Sequence, residues 1–211
     1  MVITIDGLGV NGKSTLAKKI SNTLKYKNFN TGAIYRCIAL EIINNNLDIK
    51  NINELIHKIK DIDINFEDDK VLLYGNDVTK RIRDEDISIK STDWATIPQV
   101  KELVRKIQKN FIQKYDTVME GRDIATRIAP NADIKFYLYS DFETRVKRLY
   151  KSQDKFDIDV IRTNLKIRDE LDINGGNFVK PINAYNIDTT NLSLDEVYNE
   201  MMKVIYRKIK N

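Results

Sequence analysis

The residues most able to do chemistry lie near the start of the chain, where positions 7–14 follow the pattern G-x-x-x-x-G-K-S. Glycines at this spacing let successive backbone N–H groups turn toward a polyphosphate. The lysine of the pattern can reach the β- and γ-phosphates, and the serine hydroxyl can ligate Mg²⁺. The segment therefore predicts a nucleoside-triphosphate site. The residues expected to bind the triphosphate are Gly7, Leu8, Gly9, Val10, Asn11, Gly12, Lys13, Ser14 and Thr15, with Ser14 also on the metal.

A second set of candidates consists of arginines at the ends of predicted strands and helices. Arg36 lies one turn into a helix, Arg122 follows a short strand, and Arg168 lies near a helix end. Phosphoryl transfer depends on in-line positioning and on neutralising the charge that develops on the phosphate oxygens. Guanidinium groups match those oxygens bidentately. The three arginines together favour a site for a second phosphate, although each one alone is more typical of a solvated surface.

The elements that position these residues alternate between strands and helices. An apolar run at Val2–Ile5 predicts a buried strand before the glycine loop, and the spacing of residues 15–20 predicts a helix after it. We also predict a helix from Thr31 to about Asn44, with Thr31 as its N-cap. Strand–helix alternation is typical of a parallel α/β sheet with right-handed crossovers, which binds ligands at the carboxyl ends of its strands. The other predicted strands are 28–30, 117–119, 134–139 and 184–187, and the other predicted helices are 47–60, a helix starting at Pro98, 142–152, 158–170 and one capped by Ser193.

Between residues 61 and 83 the pattern changes. Ile62, Ile64 and Phe66 alternate with polar residues, and a turn is expected at 75–77. This period of two predicts short strands with tight connections. We therefore predict a small β-rich insert in an otherwise alternating α/β chain.

The composition is that of an ordinary globular protein. The 211 residues carry a net charge of +4, with no dense basic run and no long apolar stretch, so no nucleic-acid or membrane partner is expected. No N-terminal signal pattern is found. The single cysteine, Cys37, excludes an internal disulfide and favours a cytoplasmic protein. We expect a monomer whose partners are small molecules, and Mg²⁺ bound together with the nucleotide.

These motifs together resemble the bacterial cytidylate kinases over nearly the whole chain. The T-G-A-x-Y-R and E-G-R-D segments are far more specific than the glycine loop. The resemblance implies transfer of the γ-phosphoryl group of ATP to CMP or dCMP. It also implies a nucleoside monophosphate kinase fold: a five-stranded parallel sheet flanked by helices, with a β-rich acceptor-binding insert and a helical lid. The segments that carry the resemblance are 5–15, 31–36, 75–79 with 82–83, 120–123 and 187–190.

The resemblance also assigns roles to individual residues. Arg36 and Arg122 grip the acceptor phosphate together with Thr31, and Lys13 steadies the transferring group. The cytosine ring is expected to face Thr92 and Asp123, with the alternative that each residue simply caps a nearby helix. Further roles are implied for Arg168 and Asp172 at the sugar and reacting phosphates, and for Arg145 and Arg148 at the ATP phosphates. The implied parts are a core of 1–60, 98–150 and 180–211, an insert of about 61–97 and a lid of about 151–179.

The chain departs from the family pattern at the base and in the lid. Lys101 stands where the family usually has an arginine that helps recognise cytosine, and Leu171 and Gly175 replace two lid arginines. Two alternatives therefore stay open: a kinase for another or modified pyrimidine monophosphate, and a nucleotide-binding protein that has lost kinase activity. The cations that are candidates to replace the missing lid charge are Lys166, Lys180 and Arg127.

Overall fold

The structure is a computed structural model that describes residues 1–48, 50–67, 70–152, 157–176 and 178–210, without the side chains at positions 85, 88, 89, 92 and 93. The strands are β1 (Val2–Asp6), β2 (Lys27–Asn30), β3 (Ile64–Glu67), β4 (Lys70–Leu73), β5 (Asn76–Asp77), β6 (Thr117–Gly121), β7 (Ile134–Tyr139) and β8 (Tyr185–Asp188). The helices are α1 (Lys13–Leu24), α2 (Thr31–Asn44), α3 (Ile52–Ile59), α4 (Glu85–Trp94), α5 (Pro98–Lys114), α6 (Phe142–Ser152), α7 (Ile158–Asn174) and α8 (Leu194–Lys210). A 3-10 turn spans Arg81–Arg83, and a π-helical turn spans Ile124–Ile128.

The main sheet has five parallel strands in the order β2-β6-β1-β7-β8. Strand β1 lies in its middle, with Asp6 in register with Gly121 of β6 and with Tyr137 of β7. Parallel strands end at the same edge of a sheet, so this register brings the residues after β1 and β6 to one place. The predicted α/β fold, a five-stranded parallel sheet flanked by helices with a small β-rich part, is confirmed.

By packing, the chain divides into two compact units. The first comprises Met1–Tyr26 and Asp116–Asn211. Its core lies where apolar strand residues meet α1 and α8, and burial of those side chains is the main force that stabilises it. The largest contributors to this core are Ile3, Ile5, Leu16, Ile20, Val118, Phe136, Leu138, Met201 and Ile205.

The second unit comprises Lys27–Tyr115 and contains an antiparallel sheet in the order β3-β4-β5. Phe29, Phe66 and Phe111 form an aromatic cluster with ring centroids 4.4 to 6.0 Å apart. Such tilted pairs stabilise a core beyond their burial alone. The short strands predicted between residues 61 and 83 are present and pair antiparallel, and Phe66 of β3 packs on Phe29 of β2 and Phe111 of α5.

Several predicted boundaries are wrong. The N-cap of α2 is Asn30, whose side chain accepts the Ala33 N–H at 3.1 Å, and Thr31 is the first helical residue instead. The hairpin turn consists of Tyr74 and Gly75, both with positive φ, so the expected turn at 75–77 is shifted toward the N-terminus. The tertiary structure places a tyrosine in the left-handed region, which no local preference favours.

Helix predictions differ from the structure in extent more than in kind. The predicted helix at 47–60 is shorter, because the side chain of Asn51 caps α3 and the helix starts at Ile52. Helix α4 was not predicted, because its sequence has little amphipathic periodicity. The start at Pro98 is confirmed, and so is the Ser193 capping box, in which Ser193 and Glu196 bond reciprocally.

In the described ranges, every helix is too short or too polar to cross a bilayer. The predicted division into core, insert and lid stays a prediction.

Candidate functional site

The glycine loop joins β1 to α1 in the first unit, as predicted. Gly7 has φ 152°, and a Cβ built on it would lie 2.1 Å from the backbone oxygen of Leu138 in β7. Gly12 has φ 76° and forms the N-cap of α1, an end that no side chain of the described residues caps. The first N–H groups of α1 are therefore left for an anion, and the helix dipole favours one there.

Side chains inside the loop hold its shape. Lys13 Nζ donates to the Leu8 carbonyl at 2.8 Å, and the Asn11 amide donates to the same carbonyl at 3.1 Å. The Asn11 side chain accepts in turn from the Ser140 hydroxyl at 2.6 Å. Val10 has φ 67°, a costly conformation for a β-branched residue, and packs against the apolar cluster of α6 and α7. The Lys13 side chain therefore lies folded back across the backbone of the loop.

The electrostatics of the loop are set by Lys13 and by Asp6 at the end of β1. Burial lowers the pKa of Lys13 to about 8, with Glu120 acting in the opposite direction and Arg122 in the same direction. Burial raises the pKa of Asp6 to about 6, against the stabilising effect of hydrogen bonds from Ala125 and Ile124. An anion bound in the loop would favour the charged form of Lys13 and so raise its pKa again.

Ser14 lies at the start of α1 and is paired with the end of β6. Its hydroxyl donates to Glu120 Oε1 at 3.0 Å. Hydroxyl and carboxylate oxygens are ligands that Mg²⁺ accepts, and Mg²⁺ usually keeps several waters and needs few protein ligands. In the described part of the chain no group of three His, Cys, Asp or Glu side chains could hold a metal ion. The two oxygens therefore fit a metal that is bound mainly through nucleotide phosphates.

Arg168, predicted to meet the reacting phosphates, projects from α7 to the loop. Its guanidinium lies 3.9 Å from the position that a Cβ on Gly9 would occupy. Although part of the side chain is exposed, partial desolvation lowers its pKa, and the charge of Arg122 lowers it further. An arginine remains protonated under such shifts. Arg168 is therefore a charged group beside the loop.

Ion pairs hold α7 in the first unit, and two of them lie beside the glycine loop. Arg122 pairs with Asp172, and both side chains are largely buried. Arg145 of α6 pairs with Asp169 at 2.6 Å, and its guanidinium also lies 3.5 Å from the Gly9 carbonyl. Breaking a buried pair by removing one partner is strongly destabilising. The structure thus brings the predicted residues Arg122, Asp172 and Arg145 together with α7 around the loop.

Arg148 has different partners. Its guanidinium donates to both the side-chain and the backbone oxygen of Thr189, and to the Leu192 carbonyl at 3.5 Å. These contacts fasten α6 to the segment after β8. Its predicted contact with ATP stays a prediction.

Asp123 lies in the first unit, with its Oδ2 3.4 Å from Arg127 Nε, and its contact with the base stays a prediction. The second unit holds the four other predicted residues. Thr31 accepts the Gln108 amide at 2.9 Å. Arg36 lies half-buried in α2 and makes no hydrogen bond or ion pair with described residues, and Lys101 lies half-buried in α5. Thr92 lies in α4, and its side chain is outside the described part of the structure. That these four residues bind the acceptor stays a prediction.

Sequence reasoning gave no role to Asp6, Glu120 or Asp169, and it named Arg127 only as a candidate to replace the missing lid charge. Asp6 accepts the N–H groups of Ile124 and Ala125, both at 2.8 Å, and so anchors the π-helical turn. Asp6 and Glu120 each end a strand at the ligand-binding edge, and that position was the signal by which they could have been found.

The fold is shared with solved structures of low sequence identity. An uncharacterized protein from Eubacterium ventriosum aligns with a TM-score of 0.58 at 14% identity, over 98% of both chains. A gluconokinase from Sinorhizobium meliloti aligns with a TM-score of 0.53 at 13% identity, over 98% of this chain and 91% of that one. These likenesses show the fold alone.

Sequence comparison is more specific. The chain is 34% identical to a cytidylate kinase from Caldicellulosiruptor bescii over 99% of this chain and 97% of the relative. It is also 34% identical to the cytidylate kinase of Clostridium acetobutylicum, over 98% of both chains. The model of the cytidylate kinase family matches residues 3–207. The chain therefore belongs to the cytidylate kinase family.

Proposed function

We propose that the protein transfers the γ-phosphoryl group of ATP to CMP or dCMP, which yields ADP and CDP or dCDP. The observation that carries the proposal is the group of cations at the glycine loop. Arg122 and Arg168 both lie near enough to Lys13 to lower its pKa. Concentrated positive charge at a helix N-terminus favours a polyphosphate, and the family match supports the choice of acceptor.

In this reaction an oxygen of the acceptor phosphate attacks the γ-phosphorus as the bond to the β–γ bridging oxygen breaks. ADP leaves with the bridging oxygen, and the protein's contribution is positioning and neutralisation of charge. Lys13 and Arg168 stabilise negative charge on the transferring group, and Arg122 binds the acceptor phosphate. Mg²⁺ bound through the nucleotide phosphates would be held by Ser14 and the nearby Glu120 and would supply further neutralisation of the phosphate charge.

The remaining site assignments belong to the same proposal. Thr31 and Arg36 bind the acceptor phosphate, and Thr92, Lys101 and Asp123 bind the base. Residues 61–97 are the acceptor-binding insert and residues 151–179 the lid. A monomeric, cytoplasmic protein that uses ATP and a pyrimidine nucleotide as its small-molecule partners completes the proposal, and size-exclusion chromatography tests the monomer.

The test is release of ADP from Mg·ATP with CMP, dCMP, UMP, dTMP, AMP and GMP added one at a time. The proposal expects strong stimulation by CMP or dCMP and little by the others, because a site that hydrogen-bonds one base edge rejects a wrong base by about 10⁴-fold. Stimulation by a different acceptor would assign another specificity. ATP binding without stimulation by any acceptor would show that kinase activity is lost.

A further inference from the structure

The end of α7 lacks cations at the two positions where the resemblance predicts them. The Leu171 side chain is 65% exposed, and Gly175 follows the last helical residue. Of the candidate replacements, Lys180 places its ammonium 5.1 Å over the Tyr137 ring, and Lys166 is an exposed residue of α7. Arg127, on the π-helical turn, is the candidate whose guanidinium reaches the end of α7.

The guanidinium of Arg127 bridges two segments of the first unit. Its Nη2 donates to the Gly176 carbonyl at 2.7 Å, and its Nε lies 3.4 Å from Asp123 Oδ2. A Cβ built on Gly176 would lie 3.9 Å from the same Nη2. The arginine therefore lies beside Gly176 and, at the same time, contacts a residue proposed to bind the base.

The backbone that carries Arg127 is firmly anchored. Asp6 accepts the N–H groups of Ile124 and Ala125, and the Arg127 N–H donates to the Asp123 carbonyl at 2.9 Å. Single π-helical turns are frequent at functional sites. A guanidinium on such a turn loses little freedom when it forms a bridge, because the turn is already fixed.

The segment after α7 runs back to Asp172 and to Arg122, the residue that follows β6. Phe178 N donates to the Asp172 carbonyl at 2.9 Å, and Val179 N donates to the Arg122 carbonyl at 3.4 Å. Arg122 and Asp172, whose carbonyls accept these two hydrogen bonds, also form an ion pair through their side chains. The Arg127 bridge is thus part of one connected set that fixes the end of α7 relative to Arg122 and Asp123.

We propose that Arg127 is a positioning residue for phosphoryl transfer, which holds the end of α7 and the Asp123 carboxylate in fixed relation. Arg127 lies on the π-helical turn, and its single guanidinium takes the place of the two cations that the resemblance predicts at positions 171 and 175. The proposal rests on the proposed kinase function. The planar guanidinium has separate N–H donors for the Gly176 carbonyl and the Asp123 carboxylate, and the single ammonium group of a lysine makes both contacts less well.

The test compares Arg127→Gln and Arg127→Lys with the wild-type protein. Misplacement of reacting groups by about 1 Å can cost about 100-fold in rate, so we expect Arg127→Gln to lower kcat/KM for CMP by about 10- to 100-fold. ATP affinity, measured by calorimetry, should stay within about twofold, and the melting temperature within about 3 °C, because the lost surface bridge contributes little to stability. Arg127→Lys should retain intermediate activity.

A matched control and a rescue variant sharpen the test. Lys19 of α1 is about as exposed as Arg127 and makes an ion pair with Asp195 of α8. Neither Lys19 nor Asp195 has a proposed role in the reaction, so Lys19→Gln should leave activity unchanged. Gly175 has φ −75°, a conformation open to any residue, so an arginine fits its backbone. The double variant Arg127→Gln with Gly175→Arg should recover much of the lost activity.

The outcomes separate the two proposals. An active wild type whose Arg127→Gln variant is equally active would overturn the inference alone. So would a variant that loses ATP affinity, melting temperature and activity together, since that result marks a purely structural residue. A wild type that no nucleoside monophosphate stimulates would overturn the proposed function and the inference with it.

Discussion

The carboxylate of Asp6 accepts the backbone N–H of Ile124 at 2.8 Å, and its other oxygen accepts the next N–H at the same distance. This contact joins the end of β1, from which the glycine loop starts, to the π-helical turn that follows β6. Residues of the two segments thus share one anchor. The anchor is a titratable group inside the core, which gives it a measurable pH dependence.

We predict that Asp6→Asn destabilises the protein more at pH 5 than at pH 7.5. The folded-state pKa of Asp6 is raised to about 6 from the usual 3.8, so the folded protein binds the proton more tightly. The contribution of Asp6 is therefore present at low pH and is lost as the pH rises through 6. Asparagine does not titrate and keeps one oxygen acceptor. Urea unfolding of both proteins at the two pH values measures the difference, and an equal loss at both would contradict the raised pKa.

A second prediction concerns Lys13. Its pKa is lowered to about 8 from 10.5, so the folded, unliganded protein disfavours the charged form. Keeping Lys13 charged at pH 7 therefore lowers the free energy of unfolding by about 3 kcal/mol, and this loss disappears as the pH rises from 8 to 10.5. Lys13→Met should therefore raise the melting temperature of the unliganded protein at pH 7 while it abolishes phosphoryl transfer. The Leu8 carbonyl keeps the Asn11 amide as a donor.

The same shift predicts how ATP affinity changes with pH. The wild type should bind ATP more weakly at pH 9 than at pH 7, because unliganded Lys13 loses its proton through pH 8 and the amine no longer neutralises a phosphate. Calorimetric titration of wild type and Lys13→Met at both pH values tests this. A parallel decrease in the two proteins would assign the effect to another group.

Two glycines of the same loop should respond differently to alanine. At Gly7 the new Cβ would overlap the Leu138 carbonyl of β7, which cannot move without disturbing the sheet. At Gly9 the nearest atoms belong to the end of the Arg168 side chain, at 3.9 Å. We expect Gly7→Ala to lower the free energy of unfolding by about 3 kcal/mol or more, and Gly9→Ala by less than about 1 kcal/mol. Similar losses in urea unfolding would refute the loop geometry.

Arg122 provides the direct test of the acceptor site. Arg122→Ala should reduce phosphoryl transfer by about 10³-fold or more, since an arginine on a reacting phosphate contributes at this level. ATP affinity should fall far less than phosphoryl transfer, because the glycine loop and Lys13 are intact. Steady-state kinetics with CMP and calorimetry with ATP measure the two effects. An equal loss of phosphoryl transfer and ATP affinity would mean that Arg122, paired with Asp172, stabilises the fold and does not bind the acceptor phosphate.

Local signals in the sequence were sufficient for many elements. Pro98 at the first turn of α5, the capping box at Ser193 and the apolar run of β7 each act within a few residues, so a short window contains the information. The errors arose where neighbouring candidates compete. Asn30 and Thr31 both suit an N-cap, and the backbone after β2 decides between them. Tyr74 adopts positive φ because the pairing of β4 with β5 requires a two-residue turn there.

The glycine loop, most strands and helices in their order, and the residue types able to bind phosphate could all be predicted from the sequence. Three contacts could not: Ser14 with Glu120, Asp6 with the turn after β6, and Arg127 with Gly176. The first two contacts join residues more than a hundred positions apart. They form because β1 pairs in parallel with β6, an arrangement set by burial of the whole sheet and not by any short stretch of chain.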